Sequence, residues 1–251
     1  MVLKDSIFLF SIGLSGSFIG SLAGGGGLIT LPAMMLFGIP VQFGIGANKF
    51  SFLCASITNT IQILKEKRIP KKILFSGTVL GAAGGFTGGL VTSNIEEKIL
   101  NIAVLFLLSF ALVMTVIKKP KEQEDENSPP EKSTLKQKIL TFFIGVYDGG
   151  FGPGSATLGI MMFMHRGYQY IQSVHLTRML VMGSCTGAMI VFLENGFINW
   201  NYVIPLTMGS IIGAQIGFQI LPKISQKTAK TLLMIITVLL IVQIFLKIMP
   251  K

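Results

Sequence analysis

Two basic residues stand at the head of apolar runs, and their placing is the first chemical clue. Lys49 follows Asn48, Arg178 follows Thr177, and the two lie 129 residues apart. Cations at membrane depth are costly and mark ion or substrate paths, although a long side chain at a helix end also serves to snorkel toward the headgroups. A pair of them suits a small dianion, or an anion carrying both a carboxylate and a sulfonate. His175, one turn before Arg178, titrates near neutral pH in its ordinary state. The second clue is backbone. The stretch "SLAGGGGLITLP" (Ser21–Pro32) holds four consecutive glycines, each about 1 kcal/mol worse than alanine inside a helix. "DGGFGPGSAT" (Asp148–Thr157) adds Pro153, which has no backbone donor. Helices that restart after such breaks, near Leu28 and Ser155, present N–H groups and a positive dipole end, both attractive to anions.

These features nominate Gly25, Gly26, Gly27, Asn48, Lys49, Gly152, Gly154, Ser155, Thr157, Thr177 and Arg178 as substrate contacts. Asp148 is the acidic residue of the second broken segment. It has three uses there: to carry a coupling proton, to balance Arg178, or to cap the break as ordinary Asp-Gly turn chemistry. Asp148 and His175 are the coupling candidates. No metal-ligand spacing, no nucleophile with a base and no strand-linked nucleotide loop occurs, and "GGGGLIT" lacks the lysine of a P-loop. The expectation is therefore no enzyme, no cofactor and no metal. Cys54 and Cys185 both lie in apolar runs and imply no disulfide framework.

The elements that must hold these residues are membrane helices. Of 251 residues, 51% are hydrophobic and only 13% charged, against about 25% charged in soluble domains, and mean hydropathy is +0.68. Charge-free runs such as 73–92, 99–117 and 195–222 approach or exceed the 20 or so residues that span a bilayer core. The net charge of +10 sits mostly in short loops, the pattern of cytoplasmic membrane loops rather than of a nucleic-acid-binding surface. Setting the chain on itself at a shift of 129 aligns Gly16 with Gly145, Gly20 with Gly149, Gly25 with Gly154, Gly84 with Gly213 and Lys49 with Arg178. The expected organisation is two homologous halves, 1–118 and 137–251, joined by a polar cytoplasmic linker at 119–136. Each half opens with a broken helix pair and continues with three spans, an all-α polytopic protein of eight to ten helical segments. Small residues four apart, Gly16/Gly20 and Gly84/Gly88, are expected to pack helices closely. A broken segment that turns back makes the halves inverted repeats, with both chain termini outside.

The two glycine motifs also carry a resemblance. "GSLAGGGGLITLP" (Gly20–Pro32) resembles the opening motif of the TauE/SafE family of sulfite-exporter-like permeases, and "YDGGFGPGSAT" (Tyr147–Thr157) resembles its second-half motif. Ala23 and Ala156 stand where that family often has glycine. The resemblance implies a secondary permease in the cytoplasmic membrane for sulfite, an organosulfonate such as sulfoacetate, or a related organic anion. It would work by alternating access at a central site between the halves. A passive anion channel and a membrane scaffold are the alternatives. The partners expected are the small anion, the lipid bilayer, a proton or sodium as coupling ion, a second copy in a homodimer, and no nucleic acid.

Overall fold

A computed structural model describes residues 3–23, 25–66, 69–116, 134–220, 231, 234–240 and 242. Most of the linker, the loop at 223–230 and much of the last apolar stretch lie outside the described residues, as does Gly24 of the first glycine run. The described part is helical without a strand: α1 (Leu3–Ala23), α2 (Gly27–Leu36), α3 (Val41–Glu66), α4 (Lys71–Ser93), α5 (Glu97–Val116), α6 (Leu135–Gly150), α7 (Ser155–His165), α8 (Tyr170–Glu194) and α9 (Trp200–Ile220). Five of these, α1, α4, α5, α8 and α9, are long and apolar enough to cross a membrane. The helices α2 and α7, of 10 and 11 residues, reach only about half of a 30 Å hydrocarbon core at 1.5 Å per residue. The broken segments are thus each a longer helix followed by a half-length one.

Local chemistry sets the ends. The Thr134 and Gln137 side chains form a capping box at the start of α6, and Gln169 and Gln172 do the same for α8. Glycine in left-handed backbone ends α2 at Gly38 (φ 91°) and α7 at Gly167 (φ 83°). Both ends close with the same pair of bonds. The Gly38 N–H donates to Met35 O and the Ile39 N–H to Met34 O; the Gly167 N–H donates to Met164 O and the Tyr168 N–H to Phe163 O. This is the Schellman pattern, repeated at a shift of 129 residues.

Tertiary packing interleaves the first five helices with the last four. α1 lies along α9, α4 lies against α6 and α8, and α3 touches α8 and α9. Large apolar side chains such as Phe75 and Phe106 are about 70% exposed on the outside, where lipid covers them (69% and 73%). Lys49, Ser51, Ser173 and His175 are buried. The polarity is therefore inside and the apolar surface outside, as a protein dissolved in lipid requires.

Glycine makes the interleaving close. A Cβ built on Gly85 of α4 would lie 2.5 Å from Ser184 Cα of α8, and one on Gly88 would lie 2.6 Å from Gly150 N of α6. On α9, one at Gly217 would lie 2.7 Å from Phe18 O of α1. Gly16 and Gly20 instead bring α1 onto its own continuation: a Cβ at Gly20 would meet Gly26 Cα at 2.7 Å. Without a hydrophobic drive between helices in lipid, such backbone approach is a main source of association. Gly85→Ala is expected to destabilise the protein by about 1–3 kcal/mol through overpacking. Gly77→Ala, on the same helix with open space around it, should be neutral or gain up to about 1 kcal/mol. Thermal unfolding of the two variants in one detergent separates these outcomes.

Candidate functional site

The two helix breaks meet. A Cβ on Gly27, the first residue of α2, would stand 3.2 Å from Pro153 Cα in the second break, so the two interruptions are in van der Waals contact. Beside them lies a cavity of about 120 Å³. The first break contributes Ser17, Gly20, Ser21, Gly25, Gly26 and Gly27 to its wall; the second contributes Asp148, Gly152, Gly154, Ser155 and Ala156. Helix α3 adds Phe52, Ser56 and Asn59, and α8 adds Val174, Thr177, Arg178 and Val181. The volume is small beside the several hundred Å³ of a drug-sized site and suits a ligand of a handful of heavy atoms.

An α-helix that stops inside a membrane leaves its last four carbonyls without intrahelical partners, and water is not there to take them. The end of α6 shows how they are met. Tyr147 O accepts the N–H groups of Phe151 (3.0 Å) and Gly152 (3.2 Å). Asp148 O accepts the Lys49 ammonium, and Gly150 O accepts the Thr92 hydroxyl at 2.9 Å. At the end of α1, Ser21 O accepts the Arg178 guanidinium at 3.1 Å. The two cations spaced 129 residues apart thus do the same task. Lys49, on α3, closes the broken helix α6, and Arg178, on α8, closes the broken helix α1. A cation there also answers the negative end of the helix dipole.

They differ in what else they meet. Lys49 is 1% exposed, and its Nζ lies 3.6 Å from Asp148 Oδ2. Gly152 (φ 101°) and Gly154 (φ 82°) shape this corner: a Cβ on Gly152 would meet Lys49 Nζ at 2.8 Å, and one on Gly154 would meet Ala111 Cβ at 2.6 Å. Asp148 Oδ1 accepts the Ser155 hydroxyl, and Cys185 Sγ lies 3.9 Å from Oδ2. Arg178 lines the cavity, and its guanidinium also sits over the Phe218 ring at 4.7 Å. The His175 ring stacks on the same phenylalanine at 6.2 Å.

Of the residues nominated from sequence, the structure gathers Gly25, Gly26, Gly27, Gly152, Gly154, Ser155, Thr177, Arg178 and Asp148 around one cavity. Lys49, Asn48, Thr157 and His175 are buried but do not line it. Asp148 pairs with Lys49, not with Arg178. Among the described residues, no group of three His, Cys, Asp or Glu is placed to hold a metal. Sequence reasoning missed Ser17, which is 4% exposed, lines the cavity and has no hydrogen-bond partner for its hydroxyl among the described residues. Its signal was available: Ser17 and Ser21 are one helical turn apart beside Gly20. Thr92 and Cys185 carried no such signal.

The family described as sulfite exporter TauE/SafE matches residues 9–244. A "Probable membrane transporter protein ORF9" from Sinorhizobium sp is 31% identical over 94% of this chain and 91% of its own length. "Probable membrane transporter protein YdhB" from Bacillus subtilis is 27% identical, covering 89% of this chain and 93% of its own. "Probable membrane transporter protein YfcA" from Escherichia coli strain K12 is 24% identical, covering 91% and 85%. No solved structure gave a significant match.

Removing one partner of a buried ion pair leaves the other charge stranded, at a cost of about 3–5 kcal/mol. Lys49→Met is expected to lower stability by that order. Adding Asp148→Asn in the same chain should recover a large part of it. Thermal unfolding of wild type, both single variants and the double variant gives the coupling directly, and a double variant no more stable than Lys49→Met would refute the pairing.

Proposed function

The chain belongs to the sulfite exporter TauE/SafE family, and from that premise we propose that it is a secondary permease for small anions, with its substrate site in the cavity between the helix breaks. It is a multi-pass membrane protein of a transporter family, with five helices long and apolar enough to span. The observation that carries the reading is the convergence of two helix starts and one guanidinium on a single small cavity. Each helix N-terminus acts as about half a positive charge. Arg178 adds a full one at the cavity wall. The Asp148 carboxylate is balanced by Lys49, so the local field remains positive.

Ser155, Thr177 and Ser17 supply hydroxyls for anion oxygens, and Gly25–Gly27 and Gly152–Gly154 let the backbone approach closely. Phe52, Leu22, Val174 and Val181 give the same cavity an apolar side that fits a short carbon chain. Sulfite matches the polar side; sulfonates such as sulfoacetate and related organic anions match both. In this reading the segments 1–118 and 137–251 are two repeat halves that rock about the shared site, exposing it alternately to each face. Half-helices whose ends bound a central site are a recurrent transporter design.

The test is thermal unfolding of purified protein with sulfite, sulfate, sulfoacetate, thiosulfate and simple carboxylates. A ligand of the folded state at about 100 times its Kd adds about 2.7 kcal/mol of stability. Arg178→Gln is expected to weaken the best anion by tenfold or more, about 1.4 kcal/mol. The anion-induced shift is read within each variant, because the substitution also removes the cap on α1. A well-folded protein stabilised by none of these anions would contradict the reading.

A further inference from the structure

Four helix ends meet at the cavity, and their partial charges cancel. Helices α1 and α6 stop at the breaks, with Ser21 and Asp148 of their last turns on the wall. Helices α2 and α7 start there, with Gly27 and Ser155 on the wall. Two ends of about half a positive charge thus oppose two of about half a negative charge. The balance falls to side chains. Among the described residues, the charged side chains on the wall are Arg178 and Asp148. Lys49 stands behind the wall, with its Nζ 3.6 Å from Asp148 Oδ2. Two positive charges and one negative leave a balance of one positive charge.

That charge has a neighbour suited to an oxyanion. The Arg178 guanidinium donates to Ser21 O at 3.1 Å. Ser17 lies one turn earlier on α1, about 6 Å along the axis at 1.5 Å per residue. Ser17 is 4% exposed and lines the same cavity, and its hydroxyl has no hydrogen-bond partner among the described residues. A buried hydroxyl without a partner carries a desolvation cost that a bound acceptor recovers. An oxyanion set between Ser17 and Arg178 therefore meets both a donor and the balancing charge. Elsewhere on the wall Phe52, Ala55, Ile160 and Val174 are apolar, and Ser56 and Asn59 are polar but neutral.

We propose that the cavity selects singly charged anions. A sulfonate or carboxylate head sits between Arg178 and Ser17, and a short uncharged tail lies against Phe52, Ile160 and Val174. The Lys49–Asp148 pair sets the charge limit. The proposal rests on the anion-permease reading above and narrows it. A dianion leaves one negative charge without a partner in the low-dielectric surroundings of a membrane protein, where an unpaired charge is costly. A second carboxylate at the far end of the tail is poorly placed, because the wall there offers apolar and neutral groups but no cation. In this ranking sulfite is bound in its singly protonated form, and sulfoacetate comes after sulfonates whose tail is uncharged.

The experiment is titration calorimetry of the purified full chain at pH 7 with two matched pairs of anions. Methanesulfonate and sulfate differ by a methyl group in place of an oxygen. Sulfoacetamide and sulfoacetate differ by an amide in place of a carboxylate, which is ionised at this pH. The first member of each pair carries one charge and the second two. The singly charged member is expected to bind at least tenfold more tightly in both pairs. Asp148→Asn raises the balance to two positive charges and should move both ratios toward the dianion by about tenfold. Lys49→Met lowers it to none and should move them the other way. The double variant keeps the wild-type balance and should return the wild-type ratios. Ser17→Ala should weaken all four anions by about tenfold, the loss of one hydrogen bond to a charged group. A dianion that binds as tightly as its singly charged match, or ratios that stay fixed in both single variants, would overturn the charge limit while leaving the anion site standing. Unchanged affinities in Ser17→Ala would overturn the placing of the head. Absence of binding by all four and by every anion of the stability panel would remove the anion site itself. The wild-type ratios need no variant, so they decide the charge limit even where a variant misfolds.

Discussion

Carbonyls at the end of a helix inside lipid must find donors, and this structure is organised by that demand. Two helices end at the breaks, α1 at Ala23 and α6 at Gly150. Neither end can be left open, because an unsatisfied backbone group costs several kcal/mol where no water reaches it. The donors come from elsewhere in the chain: Lys49 and Thr92 for α6, and Arg178 for α1. Each cation is an expensive residue in such a place, and each is stabilised by the same carbonyls it stabilises.

That solution dictates the packing. For Thr92 on α4 to reach the end of α6, these two helices come within backbone contact. Glycines at Gly85, Gly88, Gly149 and Gly150 permit this; side chains there would collide with main chain. The glycines between the half-helices do a second task. Gly152 and Gly154 take left-handed backbone that other residues adopt at a cost, and they leave room for Lys49 and Ala111.

The two cations are equivalent in sequence position and unequal in role. Asp148 stands beside one of them, and the residue 129 positions earlier is Ile19. A carboxylate thus neutralises Lys49 behind the cavity wall, while Arg178 lies at the wall itself. One break holds a charge-balanced pair, and the other places an arginine at the cavity wall.

Much of the fold was legible in the sequence, because its causes are local. Apolar runs of about 20 residues, glycine clusters with Pro153, and turn glycines such as Gly38 and Gly167 act over a few residues, so the helices, the two breaks and the turns after them follow from composition and spacing. The glycine and hydroxyl lining around the breaks was legible for the same reason. The direction of the long side chains was not. Lys49 and Arg178 look alike in sequence, each after a small polar residue at the head of an apolar run. What sends Lys49 into the wall is a carboxylate 99 residues away, and what caps α6 beside it is Thr92, 58 residues away. A flexible cation goes where carbonyls and opposite charge converge, and that convergence exists only once the helices have packed.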